Sequence, residues 1–192
     1  MERRYFDQQR RLDLGSNGRI LEFVKESSKY KYGCVMVDLY IEGWAEIISV
    51  IDKDDIYTED GDDTYGLLEK PHLTILYGLH ENVTLKQVRS VFNSFAGQII
   101  VNIDGINIFE NEKFDVVKFN VAKDAGLQYL HDGLSKLPNS DEYPEYKPHI
   151  TLCYAKKGTG IKYFDAGYKM YIKYVNKICY SNPNASRSYF LI

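Results

Sequence analysis

Long apolar runs are absent from this chain of 192 residues. No stretch approaches the ~18 consecutive apolar residues that a membrane-spanning helix requires. The first residues, MERRYFDQQ, are charged and polar, so they lack the apolar core of a secretory signal peptide. The sequence therefore predicts a cytoplasmic protein that does not enter a membrane.

Cysteine is scarce as well, and the three cysteines are Cys34, Cys153 and Cys179. Their number is odd and no CxxC spacing occurs, which favours free thiols in a reducing compartment. The sequence also contains no HxH or HExxH motif, no G-x-x-x-x-G-K-[ST] phosphate loop and no G-x-S-x-G elbow. We therefore expect no metal, no ATP-driven reaction, no serine-hydrolase triad and no cofactor.

A basic excess is missing too, since the formal net charge is -3. This balance argues against nonspecific binding to long nucleic acids, so any nucleotide ligand should be small and held in a local pocket. The length suits one domain, or one domain made of two related lobes. We predict a single domain over residues 1–192, with about residues 1–15 loosely attached.

Hydrophobic spacing and turn residues predict both helices and strands. One helix is expected from Ser16 or Asn17 to about Ser28, and two more begin at Thr84 and Asp124, which serve as N-caps. Outside the motifs described below, strands are expected at residues 33–40, 46–51, 99–108, 114–121, 170–180 and 188–192. Residues 52–63 are rich in acidic side chains but lack the closing glutamate of a calcium loop, so this segment is expected to be a solvated loop.

One nine-residue pattern occurs twice, as KPHLTILYG at residues 70–78 and as KPHITLCYA at residues 147–155. The Lys, Pro, His, Thr and Tyr positions are identical in the two copies. Because side chains alternate along a strand, His72 and Thr74 should share one side, and so should His149 and Thr151. Two such pairs facing each other would surround one phosphate with two imidazoles and two hydroxyls.

Those four side chains suit the cleavage of a phosphodiester without a metal. One imidazole can take a proton from the attacking oxygen while the other gives a proton to the leaving oxygen. Thr74 and Thr151 can donate hydrogen bonds to the nonbridging oxygens, and β-branching holds their side chains stiffly. Which histidine is the base depends on how the substrate lies, and both assignments stay open.

The paired motifs resemble those of the 2H phosphoesterase superfamily, which is named for its two histidines. The resemblance implies an α+β fold of two pseudo-symmetric lobes, each an antiparallel sheet flanked by helices, with the two HxT strands facing a central groove. Residues 52–80 resemble phage members of the superfamily. This resemblance implies an anti-CBASS nuclease that hydrolyses cyclic oligonucleotide messengers, and for a viral protein the compartment would be the host cytoplasm.

Other functions remain open alongside that one. The superfamily also includes RNA 2′,3′-cyclic phosphodiesterases and enzymes that cleave 2′-5′-linked oligoadenylates. A module that only sequesters nucleotides is a further alternative, although sequestration would not require two proton-transfer groups. In each case the expected partner is a cyclic or short oligonucleotide, and we expect a monomer or a weak homo-oligomer without a stable protein partner.

Several neighbouring residues are candidates for substrate binding. Strict alternation places Leu76 and Cys153 on the His/Thr side, with Cys153 in the wall of the groove, and places Tyr77 and Tyr154 in the core. Lys70 and Lys147 could neutralise phosphate or simply be solvated at the strand ends. Base recognition usually needs stacking aromatic rings, and the candidates for that role are Tyr32, Tyr40, Trp44, Tyr143 and Tyr146.

Overall fold

The computed structural model describes residues 10–12, 20–23, 30–143, 145–184 and 186–192, with the backbone alone for 10–12, 20–23 and 173–174. The strands are β1 (Arg10–Leu12), β2 (Ile20–Phe23), β3 (Gly33–Asp38), β4 (His72–Leu79), β5 (Ile99–Glu110), β6 (Phe114–Val121), β7 (His149–Lys156), β8 (Asp165–Val175), β9 (Lys177–Ser181) and β10 (Arg187–Leu191). The α-helices are α1 (Trp44–Ser49), α2 (Leu85–Asn93) and α3 (Ala125–Leu134). Short 3-10 helices occur at Lys53–Asp55 and Gly160–Tyr163.

The strands form two antiparallel sheets, each with one motif strand at its edge. The six-stranded sheet has the order β1-β2-β10-β9-β3-β4, and the four-stranded sheet has the order β7-β6-β5-β8. The edge strands β4 and β7 contact each other where the two sheets meet. This is the predicted two-lobe α+β fold, and it brings the two HxT strands together.

One continuous apolar core joins the sheets and helices. On β4, Leu73 and Leu79 are fully buried, and so is Ile150, which is the counterpart of Leu73 on β7. Helices α2 and α3 bury their apolar faces against this core, and Thr84 and Asp124 cap their N-termini as predicted. Within the described residues, no helix is long and apolar enough to cross a membrane.

The structure corrects two predicted elements in the first third of the chain. Residues 46–51 were predicted to be a strand, but residues 44–49 form α1, because Gly43 adopts a left-handed conformation (φ 71°) and Trp44, Ile48 and Ile51 are buried at helical spacing. Residues 20–23 of the predicted N-terminal helix form strand β2. The rest of that helix, including its proposed caps, lies outside the described residues.

The N-terminal and C-terminal segments both join the six-stranded sheet. Arg10–Leu12, within the segment predicted to be loosely attached, pairs with β2. The single strand predicted at residues 170–180 is two strands, because the chain leaves the four-stranded sheet after Val175 and enters the six-stranded sheet at Lys177. The lobes are therefore not simply the two halves of the sequence.

Each motif strand is paired along its outer edge by the segment that leads into the other motif strand. The first strap, residues 56–68, pairs with β7 through bonds such as Leu68 N–H to Leu152 O (2.9 Å). The second strap, residues 138–143, pairs with β4 through Ser140 N–H to Gly78 O (2.9 Å). The two lobes thus hold each other through reciprocal backbone pairing.

Candidate active site

The two HxT pairs lie on the open side of the motif strands. His72, Thr74, His149 and Thr151 are half-buried, whereas the intervening Leu73 and Ile150 are fully buried. His and Thr therefore share one side of each strand, as the two-residue period requires. Within the part of the chain that the structure describes, neither threonine hydroxyl has a protein partner, so both can donate to a ligand.

The same backbone contact orients both imidazoles. His72 Nδ1 lies 3.2 Å from the carbonyl oxygen of Lys70, and His149 Nδ1 lies 2.9 Å from that of Lys147. A carbonyl oxygen can only accept a hydrogen bond, so Nδ1 carries a hydrogen in both rings. In each histidine, Nε2 is therefore the nitrogen that can gain or lose a proton.

Burial and nearby cations favour the neutral form of both rings. Partial burial lowers the pKa of His72, and the charge of Arg187 lowers it further. Partial burial also lowers the pKa of His149, with Lys118 and His72 acting in the same direction. The two motif strands contact each other, and the charge of His72 acts on His149, so the two motifs lie at one site. An anion between the rings would offset this positive potential.

A β-bulge interrupts each motif strand at the equivalent position and corrects the sequence-based orientation of its last residues. The register against the neighbouring strand shifts at Ile75 in β4 and at Leu152 in β7. Each bulge adds one residue and reverses the alternation beyond it. Consequently Cys153, which was predicted to line the groove, is completely buried, and Tyr77, which was predicted to be in the core, is 45% exposed.

The predicted stacking residues are scattered rather than gathered at the site. Trp44 is 7% exposed, and its indole N–H donates to Leu68 O (2.8 Å), so it is a core residue and cannot stack on a base. Tyr40 is 86% exposed in the loop after β3. Tyr32 packs edge-on against Tyr77, with ring centroids 6.0 Å apart. This contact places Tyr32 near the end of β4, beyond the HxT pair.

The two later tyrosine candidates differ from each other. Tyr143 is 74% exposed. Tyr146 is half-buried and stacks on His131, with ring centroids 4.3 Å apart. Its hydroxyl donates to the backbone oxygen of Thr74 (3.3 Å), so this tyrosine helps to fix the first motif strand.

The motif lysines are both exposed. The backbone carbonyls of Lys70 and Lys147 orient the two histidine rings, while the ammonium groups of these lysines are exposed. The Lys147 ammonium lies 3.7 Å from Glu145, and its charge acts on the amine of Lys118. Lys147 therefore borders the site, and Lys118 is the lysine whose charge acts on His149.

Sequence reasoning missed a polar row on β6. Lys118 is the cross-strand partner of Thr151, and Asn120 is the partner of His149. Lys118 is only 4% exposed, and burial lowers the pKa of its amine to about 8, with Lys147 acting in the same direction. The available signal was a lysine inside the apolar run VVKF, but only the pairing with β7 places it at the site.

The acidic loop is tied to the protein rather than arranged for a metal. Asp55 is 5% exposed and accepts hydrogen bonds from Lys162 Nζ and from the hydroxyl of Tyr163 (2.6 Å). These donors lower the pKa of the Asp55 carboxyl. Within the described residues, no three His, Cys, Asp or Glu side chains are grouped so as to hold a metal ion.

Two lobes whose adjacent edge strands each carry an outward-facing HxT pair define the 2H class of phosphoesterase. Residues 41–166, which include both motifs, match the model of the 2′-5′ RNA ligase superfamily. The chain belongs to that superfamily. A solved structure described as "Crystal structure of phosphoesterase" is similar at 14% identity over 84% of this chain and 95% of that chain, with a TM-score of 0.45. No curated protein matches the chain.

Proposed function

We propose that this protein is a metal-independent phosphodiesterase that uses His72 and His149 as its acid and base. The observation that carries the proposal is the matched orientation of the two rings. Each imidazole is oriented through Nδ1 by the carbonyl two residues earlier, and nearby cations lower the pKa of both rings. This leaves two Nε2 atoms for proton transfer at one site.

The proposed reaction is an in-line displacement at phosphorus. Nε2 of the neutral histidine accepts the proton of the attacking oxygen as the new P–O bond forms. Nε2–H of the protonated histidine gives its proton to the leaving oxygen as the old P–O bond breaks, so the pair ends with its proton exchanged and its total charge unchanged. The hydroxyls of Thr74 and Thr151 donate to the nonbridging oxygens, where charge develops.

For the substrate we propose a cyclic oligonucleotide messenger of the kind that phage anti-CBASS nucleases destroy. The reason for this choice is the resemblance that the sequence of residues 52–80 bears to phage members of the superfamily. The net charge of -3 also fits a small, locally bound nucleotide rather than a long polyanion.

An RNA 2′,3′-cyclic or 2′-5′ phosphodiesterase is the second candidate, because the matched superfamily is named for the 2′-5′ RNA linkage. The same acid/base pair would serve either linkage, so the substrate panel has to separate them.

The test is incubation of the protein, in the presence of EDTA, with cyclic trinucleotides, 2′,3′-cyclic mononucleotides and 2′-5′ oligoadenylate. We expect cleavage of the cyclic trinucleotide, abolished in His72→Ala. Cleavage of only one of the other substrates would select the second candidate. Binding of a nucleotide without cleavage would instead favour the sequestering module.

A further inference from the structure

A cleft opens beside His149 on the four-stranded sheet. Its volume is about 390 Å³, and Lys118, Asn107, Asn120 and Phe109 lie in its wall. Phe109 packs edge-on against the His149 ring, with centroids 5.1 Å apart. The cleft therefore lies next to the candidate active site, with Phe109 between it and the His149 ring.

Lys118 is the distinctive group in this cleft. Its Nζ donates to the side-chain oxygen of Asn120 and lies 4.0 Å from the centre of the Phe109 ring. Within the described part of the chain, no carboxylate pairs with it, although it is almost completely buried. An unpaired buried ammonium is costly, so a lysine in this position is suited to an anionic ligand.

Lys118 lies on the strand next to β7, between the motif residues and the cleft. Lys118 and Thr151 are cross-strand partners, so their Cβ atoms are about 5 Å apart. The lysine side chain then extends along β6 to Asn120, which is the partner of His149. Its ammonium group therefore lies beside Asn120, and the residues that line the cleft with these two include neither motif threonine.

The other charges of the cleft belong to exposed side chains. Lys123 and Lys147 share the single carboxylate of Glu145, and Asp104 pairs with Lys169. Lys118 is therefore the buried cation of this wall, and among the described residues it has no carboxylate partner. Asn107 and Asn120 add amide groups that can donate to phosphate oxygens.

We infer that the cleft is a subsite for a second phosphate of an oligonucleotide substrate, with Lys118 as its anchoring cation. The inference rests on the proposed function, because the first phosphate is the one held between the histidines and threonines. It also narrows that function, since a 2′,3′-cyclic mononucleotide has only one phosphate and leaves this subsite empty.

The test compares ligands that have one phosphate and several phosphates, using binding rather than turnover. The inactive variant His72→Ala is titrated calorimetrically with adenosine 2′-monophosphate and with cyclic triadenylate, alone and combined with Lys118→Met. Methionine keeps the length and apolar stem of the buried lysine. Lys86→Met, which removes an exposed lysine from α2, is the matched control for the loss of one charge.

We expect Lys118→Met to weaken cyclic triadenylate binding by roughly 10–100-fold, the range for a hydrogen bond to a charged group. The slope of log K against log salt concentration should become shallower by about one unit, the value for one lost phosphate contact. Adenosine monophosphate binding should weaken less than triadenylate binding, because Lys118 acts on that phosphate only through its charge near His149. Lys118→Arg should retain most of the triadenylate affinity.

The subsite would be refuted if Lys118→Met weakened the binding of both ligands equally or weakened neither. It would also be refuted if the His72→Ala protein did not bind cyclic triadenylate. Failure of the wild-type protein to cleave any phosphodiester would instead refute the proposed function, because the binding comparison does not depend on turnover. Melting curves of each variant establish that a loss of affinity is not a loss of folded protein.

Discussion

Replacing either motif histidine by alanine should nearly abolish cleavage and leave the fold intact. Each proton transfer contributes roughly 10²–10⁴-fold, which corresponds to about 2.7–5.4 kcal/mol of activation free energy. If His72 and His149 act in one concerted step, the double variant should lose little more than either single variant, because groups that act as a unit are not additive.

The expected cost to stability is small because the rings lie on the open side of their strands. The core-facing neighbours Leu73 and Ile150 are untouched. Each substitution removes one hydrogen bond from Nδ1 to a backbone carbonyl, which is worth about 0.5–1.5 kcal/mol. For a chain of this size, that loss lowers the melting temperature by about 1–6 °C.

The assay is kcat/KM on the preferred substrate of the panel, with melting temperatures measured on the same preparations. His80→Ala is the matched control, since His80 also makes one side-chain hydrogen bond, to Ser140 Oγ at 2.8 Å, but lies outside the motifs. It should retain activity. Either motif variant with more than about a tenth of the wild-type rate would refute the assignment of that histidine as acid or base.

Three further predictions follow from the site and the strands that hold it. Thr74→Val and Thr151→Val should each lower kcat by roughly 10–10³-fold with unchanged melting temperature, the scale of one lost oxyanion donor; unchanged kinetics would make that hydroxyl purely structural. The pKa of both His72 and His149 is lowered, so each ring loses its proton at a lower pH than an ordinary histidine does. The bell-shaped profile of kcat/KM against pH should therefore peak below about pH 7, and EDTA should not change it. An optimum above pH 8, or activity lost on chelation and restored by a divalent ion, would contradict this mechanism. Gly78→Ala should lower the free energy of unfolding by at least about 1–2 kcal/mol in denaturant titration. Gly78 has φ 102°, and an added Cβ would lie 2.9 Å from Asp141 N. Unchanged stability would show that the second strap can move away from β4 without a loss of stability.

The sequence predicted the parts of the site that depend on local geometry. A period of two along a strand is enough to place His72 with Thr74 and His149 with Thr151, and a polar N-cap before an apolar stripe is enough to locate α2 and α3. Repetition of the motif then predicted two related lobes. These features need no knowledge of which strand lies next to which.

What the sequence could not predict depends on partners that are distant in the chain. The bulges at Ile75 and Leu152 are defined by how β4 pairs with β3 and how β7 pairs with β6, which the sequence does not show. Simple alternation of side chains therefore put Cys153 on the wrong side of its strand. Lys118 reaches the site only because β6 pairs with β7. The helix α1 was missed for a different reason, since a short run of isoleucines satisfies both a strand and a helix pattern.

The reciprocal straps also determine what would happen to a lobe on its own. Neither lobe contains the segment that pairs with the outer edge of its own motif strand, because that segment leads into the motif strand of the other lobe. A separated lobe would expose an unpaired strand edge, which is a template for edge-to-edge association and aggregation. The protein should therefore unfold in one cooperative transition, and a fragment that contains one lobe alone should be insoluble rather than stable.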